Sequence, residues 1–199
     1  MAISGKINFY RKLWHLVSGL VIIAVLMLTY PSKVVVIIIL AVFSAALLIL
    51  DILRFASSRV DRFFWSYLGF LTTEKERRGP NTSFYYATSL LVCVLIYSPK
   101  ITMGAIVCLA VGDPAAGISG RMIGKHRIRG KSIEGALVNF LICFGLIRIL
   151  VPSLLVAAAG ALAGALIELL PIPRLDDNIT VPIFSGLVMT LVSYFYVVT

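Results

Sequence analysis

The chain has 199 residues, 60% of them hydrophobic, and a formal net charge of +9. Its mean hydropathy of +1.00 and its apolar content exceed the roughly 45–50% of soluble domains, which excludes an aqueous globular enzyme. A membrane span needs about 20 apolar residues, so six or seven spans nearly use up the chain and confine any chemistry to helix ends and short loops.

In a soluble chain this basic charge would point to nucleic acid. Here it reads as loop topology, because Lys and Arg concentrate in cytoplasmic loops, and no nucleic-acid partner is expected. Cys93, Cys108 and Cys143 all lie inside apolar runs, so neither a disulfide nor a zinc site is indicated. The first apolar run lacks a small-residue cleavage signature and reads as a retained span.

Residues 1–12 are short and basic, with Lys6, Arg11 and Lys12. Span one covers about Leu13–Tyr30 and ends at the turn Pro31-Ser32-Lys33. Span two covers about Val34–Leu53, with Asp51 near its end. An amphipathic helix near 55–71 follows. Val60, Phe63, Phe64, Tyr67, Leu68 and Leu71 share one face at helical spacing, with Asp61, Arg62 and Ser66 on the other. Such a helix lies in the headgroup layer. After the charged stretch TTEKERRGPNT, span three covers about Ser83–Ser98. Span four begins near Ile101 and is expected to break at Asp113-Pro114, where a basic glycine-containing loop takes over. Span five covers about Ser132–Val151. Span six covers about Ser153–Leu170 and carries a Gly160–Gly164 GxxxG face. The loop PIPRLDDNITVP leads to span seven, about Ile183–Val198. The expected fold is therefore an all-α membrane bundle of about seven helices, one catalytic domain over 1–199, with a cytoplasmic N-terminus.

Seven spans would place 15 of the 18 Lys and Arg residues on the N-terminal side, leaving only Lys33, Lys100 and Arg148 opposite. That side is then cytoplasmic. All nine acidic residues and both histidines, His15 and His126, fall at or near the same end. Acidic residues contribute little to the topology rule, so their clustering points to a one-sided active site.

The stretch GDPAAGISGRMIGKHRIRGKSIEG, residues 112–135, carries most of the chemistry. Gly117, Gly120 and Gly124 allow close backbone approach. Arg121, Lys125, Arg127, Arg129 and Lys131 are cationic. Ser132 can cap span five, whose N-terminus favours an anion. The competing reading is a solvated basic loop that only obeys topology. The Gly-Lys-Ser ending is not a P-loop: five residues separate Gly124 from Gly130 where the P-loop has four, and no strand precedes it. Asp113 is an ionisable residue inside a span, a functional signal by default. It suits a magnesium ion held by one or two carboxylates and nucleotide phosphates. Asp176, Asp177 and Asn178 form a second cluster whose carboxylates could share one cation in a loop. Arg11, Lys12 and His15 lie one helical turn apart and could meet phosphate, or His15 could act as acid or base. Glu134 and Glu168, near helix ends, are further candidates for a base or a supporting partner.

Three of these stretches, RKLWH, GDPAAGISGRMIGKHRIRGKSIEG and DDNITVPIFSG, resemble the signature stretches of a membrane kinase family. It comprises dolichol kinases, phytol and other prenol kinases, and CTP-dependent diacylglycerol kinases. The resemblance implies transfer of the γ-phosphate of a nucleoside triphosphate, usually CTP, to a lipid hydroxyl at the cytoplasmic face, with magnesium or another divalent ion. It implies a nucleotide site of Asp113, Gly117, Gly120, Gly124, Lys125, Gly130, Lys131, Ser132 and Glu134. Asp176, Asp177 and Asn178 would complete the metal and phosphate site, and Arg11, Lys12 and His15 would close it. Asp113, Glu134 and His15 stay open as the base. The short chain favours the smaller relatives over dolichol kinases. Two rivals remain: a CTP-dependent cytidylyltransferase forming a CDP-lipid, and a transporter of an anionic solute or lipid.

Overall fold

The computed structural model describes residues 2–69, 72, 74–77 and 79–198, with side chains at 10–69, 72, 76–77 and 79–195. Leu71 and Arg78, and the side chains of Lys6, Glu74, Lys75 and Tyr196, lie outside the described residues. The helices are α1 (Ala2–Leu28), α2 (Val34–Ala56), α3 (Ser58–Leu68), α4 (Thr82–Ile96), α5 (Pro99–Val107), α6 (Asp113–Met122), α7 (Ile133–Leu150), α8 (Leu154–Leu169) and α9 (Asp177–Val198). A 3-10 turn covers Glu74–Arg77 and a π-turn joins α5 to α6 over Cys108–Gly112.

Five helical units are long and apolar enough to cross a membrane: Tyr10–Leu28, Val34–Ala56, Pro99–Met122, Ile133–Leu150 and Asp177–Phe195. With 15 and 16 residues, α4 and α8 are apolar but short; at 1.5 Å per residue they span about 24 Å or less, against about 30 Å of hydrocarbon.

The expected break at Asp113-Pro114 is absent. Pro114 lacks an N–H and its ring would crowd the carbonyl four residues back, Ala110. The π-turn at Cys108–Gly112 widens the helix there, so the chain runs on from Pro99 to Met122. This helix is the axis of the bundle. Ile101 to Ala110 are all buried, and α1, α4, α7, α8 and α9 pack around the α5–π-turn unit. The Gly160 and Gly164 face also packs inward. Side chains of Met189 and Cys108 occupy the space where added β-carbons would stand, so van der Waals contact, not a subunit interface, accounts for the motif.

Three other expectations shift. The basic loop contains a two-stranded hairpin, β1 (Arg127–Ile128) and β2 (Lys131–Ser132), pairing Arg127 with Ser132 and Ile128 with Lys131. Its two turn residues, Arg129 and Gly130, both have positive φ, 49° and 87°, as a type I′ turn requires. The last helix starts at Asp177, well before Ile183, so the Asp-Asp pair stands at a helix N-terminus and not in an open loop. The amphipathic helix is confined to Ser58–Leu68; Phe64 turns inward while Phe63 and Tyr67 stay exposed.

Candidate active site

A π-turn inserts one residue into the helical repeat and so rotates the next helical turn by about 100°. Here that rotation sets the direction of Asp113, the first residue after the π-turn. Asp113 and Leu109 line a polar cleft of about 490 Å³. The expected Arg11, Lys12 and His15 of α1 line it too, as do Arg121 and Lys131. Asp176, Asp177 and Asn178 at the start of α9 complete that set. Stretches from the first, middle and last helices thus converge on one cavity.

The carboxylates inside the cleft are paired. Lys12 Nζ donates to the Asp113 carbonyl at 3.0 Å and lies 3.3 Å from its carboxylate. Gly117 makes room for it, since a β-carbon there would meet Lys12 Nζ. Lys131 Nζ lies 2.7 Å from Glu168 and 3.0 Å from Asp177. Burial alone would push the Lys131 ammonium down, but Glu168, then Asp177 and Asp113, outweigh it and hold its pKa above the ordinary lysine value. Asp176 caps α9: its carboxylate accepts from the Asn178 backbone N–H at 3.0 Å and from the Asn178 amide at 2.6 Å. His15 is 3% exposed and stacked on Tyr86 with ring centroids 4.3 Å apart. Among the described residues its Nε2 has no hydrogen-bond partner. A buried polar atom without a partner calls for an explanation, a ligand among them.

Beside the cleft lies a cavity of about 110 Å³ between α6 and the hairpin, bordered by Gly117, Gly120, Arg121, Gly130, Lys131 and Ser132. Arg121 and Lys131 border both spaces. Ser132 caps α7 as expected, accepting from the Gly135 N–H at 2.9 Å. Arg127 donates to the Gly120 carbonyl at 3.3 Å and lines the smaller cavity. Gly124 packs on Ser132 and lines neither space. Lys125 is exposed and also lines neither. Glu134 is likewise outside both. Its carboxylate holds the base of the hairpin, 2.8 Å from His126 Nδ1 and 3.1 Å from the His126 backbone N. The structure thus brings most of the expected residues together and leaves Gly124, Lys125 and Glu134 outside both spaces, with Glu134 bracing the hairpin.

The sequence missed one wall. Glu76 is 4% exposed, lines the cleft, and pairs with Arg11 at 3.8 Å. Thr82 and Tyr85 of α4 line the cleft beside it. The buried Arg54 holds this wall in place. It donates to the Glu76 and Gly79 carbonyls at 2.8 and 2.9 Å and to Asp51 at 3.0 Å. In sequence, Glu76 sits within a run of charges that looks like solvated surface; only the Gly-Pro-Asn after that run hinted at a fixed turn. Glu168 had a clearer signal, as a lone acid ending an apolar run.

Among the described residues, no three His, Cys, Asp or Glu side chains stand close enough to hold a metal ion by themselves. Asp113, Asp176 and Asp177 nonetheless face one cleft, and a magnesium ion completed by phosphate oxygens needs only one or two carboxylates. The donor chemistry fits an ion that arrives with a nucleotide.

Sequence comparison finds relatives among known proteins. The chain is 23% identical over 161 residues to CTP-dependent diacylglycerol kinase 1 of Schizosaccharomyces pombe, covering 71% of this chain and 74% of that one. It is 31% identical over 138 residues to probable phytol kinase 3, chloroplastic, of Glycine max, covering 58% of this chain and 41% of that one. These relatives support the CTP-dependent lipid kinase family. No family model matches the chain, and no solved structure matches it. The aligned spans, 71% and 58% of this chain, are each longer than any single motif.

Proposed function

We propose that the chain is a CTP-dependent lipid kinase. It transfers the γ-phosphate of CTP to the hydroxyl of a membrane lipid alcohol, a prenol, polyprenol or diacylglycerol, at the cytoplasmic face. The observation that carries this reading is the convergence of Arg11, Lys12, His15, Asp113, Lys131 and Asp177 on one polar cleft at the end of an apolar bundle. The names of the two relatives support the choice of CTP and of a lipid acceptor. In this reading α4 and α8 also cross, making seven crossings, and the 15-to-3 division of basic residues sets the N-terminus and the cleft in the cytoplasm.

Phosphoryl transfer demands positioning and charge neutralisation more than covalent chemistry by the protein. Arg11, Lys12, Arg121 and Lys131 supply positive charge to the phosphates, aided by the N-terminus of α7 behind Ser132. Gly117 and Gly120 let backbone approach them. Asp113, Asp176 and Asp177 would hold a divalent ion, which would neutralise phosphate charge. His15 takes the hydroxyl proton. Its Nε2 is unpartnered among the described residues, whereas Asp113 is engaged by Lys12 and Glu134 lies outside the cleft. The exposed Phe63 and Tyr67 of α3 hold the headgroup layer near the acceptor.

CTP labelled at the α or the γ position, offered with lipid alcohol or with lipid phosphate, tests the reading. Label passing from γ to the alcohol is expected. Label passing from α to a lipid phosphate would make the protein a cytidylyltransferase and overturn it. Parallel reactions with ATP decide the donor.

A further inference from the structure

Each carboxylate facing the cleft is met by a donor of the chain itself. Lys12 meets Asp113 at 3.3 Å, Lys131 meets Asp177 at 3.0 Å, Arg11 meets Glu76 at 3.8 Å, and Asn178 meets Asp176. Among the described donors Lys131 is the one that bridges two carboxylates of different residues, and the two differ in exposure. The Glu168 side chain is 3% exposed, whereas those of Asp177 and Lys131 are 30% and 29% exposed. Leaving Glu168 would strand a buried charge, which is costly. Leaving Asp177 uncovers a carboxylate that water, or a cation, can reach. Lys131 also borders both the cleft and the smaller cavity, so a small swing of its ammonium changes which space it serves.

We propose that Lys131 is an exchangeable counter-ion pivoting on Glu168. It covers Asp177 until a divalent cation arrives with nucleotide phosphates, then yields Asp177 to the cation and gives its ammonium to a phosphate oxygen. This inference rests on the nucleotide reading of the cleft and deepens it. Glu168 is a positioning residue: it keeps the ammonium within reach of both partners. A bare divalent cation must displace Lys131 with nothing to offer it in return. A cation that brings phosphates supplies the replacement anion. Ion and nucleotide therefore bind as a pair, and neither binds well alone.

Binding of Mn²⁺ to the full chain in detergent, followed by the electron paramagnetic resonance of free Mn²⁺, tests this without turnover. In the wild type a non-hydrolysable CTP analogue is expected to tighten Mn²⁺ binding by about tenfold or more, within the usual range of coupled sites. Lys131→Met combined with Glu168→Gln removes the cation and the acid it would strand. Mn²⁺ alone then binds about tenfold tighter than in the wild type, and the gain from the analogue shrinks towards none. Asp177→Asn gives an independent arm that leaves Lys131 and Glu168 in place. With chelator present, CTP binds about fivefold or more tighter than to the wild type, because Lys131 is released. Equal Mn²⁺ affinity in the wild type and the double variant, or no gain in metal-free CTP affinity for Asp177→Asn, overturns the exchange. Wild-type γ-label transfer is measured separately: a negative binding result with transfer intact overturns the exchange alone, whereas absence of transfer overturns the kinase reading itself.

Discussion

Arg54→Met tests the wall that the sequence did not reveal. The Arg54 side chain is 0% exposed and makes three hydrogen bonds, to Asp51, the Glu76 carbonyl and the Gly79 carbonyl, at 3.0, 2.8 and 2.9 Å. Its guanidinium also lies 4.6 and 4.8 Å from the ring centres of Phe55 and Phe64. Methionine replaces the stem but none of the donors. Asp51 keeps the Asn81 N–H at 2.8 Å and loses its cation while still buried. Removing one partner of a buried pair costs about 3–5 kcal/mol. At about 2–4 °C per kcal/mol for a chain of this size, the expected fall in Tm is about 6–20 °C. Tryptophan fluorescence during heating in detergent reads it, since Trp65 sits on α3 beside this network. Adding Asp51→Asn removes the stranded charge and restores part of the loss. Transfer activity falls as well, because Glu76 and Gly79 line the cleft. A Tm change no larger than an exposed ion pair gives, under about 1 kcal/mol, would refute the idea that Arg54 anchors the wall.

Three further outcomes are expected. Asp113→Asn preserves shape and the hydrogen bond from Lys12 to the backbone, so Tm stays close to wild type while γ-label transfer drops about 100-fold or more for want of charge at the phosphates. His15→Phe keeps the stack on Tyr86 and removes the nitrogens; transfer falls about 10²–10⁴-fold with CTP binding unchanged by calorimetry, and a loss of CTP affinity would place His15 among the phosphate contacts instead. Glu134→Gln loosens the hairpin base without touching the cleft, so kcat falls less than about tenfold; a loss like that of a general base, about 10²–10⁴-fold, would return Glu134 to the chemistry.

Much of the site was readable before the fold. Lys12, Asp113, Lys131 and Asp177 stand out because charges in an apolar chain are costly and seldom idle. The apolar runs drive charges to helix ends, since a charge inside a run is costly. What resisted reading was local geometry. Asp113-Pro114 reads as a break because proline forbids a regular helix, yet a π-turn satisfies the same constraint and keeps the helix whole. The hairpin at Arg127–Ser132 was hidden because its turn uses Arg-Gly in place of the commoner Asn-Gly. Glu134 reads as a base or a supporting partner from its place near a helix end, and its contact with His126 shows it as a brace.

The sequence by itself determined the environment: an apolar, basic chain whose helices must close their own backbone hydrogen bonds in lipid, with its polar chemistry driven to the helix ends. Tertiary packing decided the partners. Lys131 finds Glu168 and Asp177 at separations of 37 and 46 residues, and Arg11 finds Glu76 from another helix. Such pairings depend on which helices lie side by side and on their rotation about their axes. Those are set by small residues such as Gly160 and Gly164 meeting Met189 and Cys108, through van der Waals contacts that no one-dimensional pattern of polarity encodes.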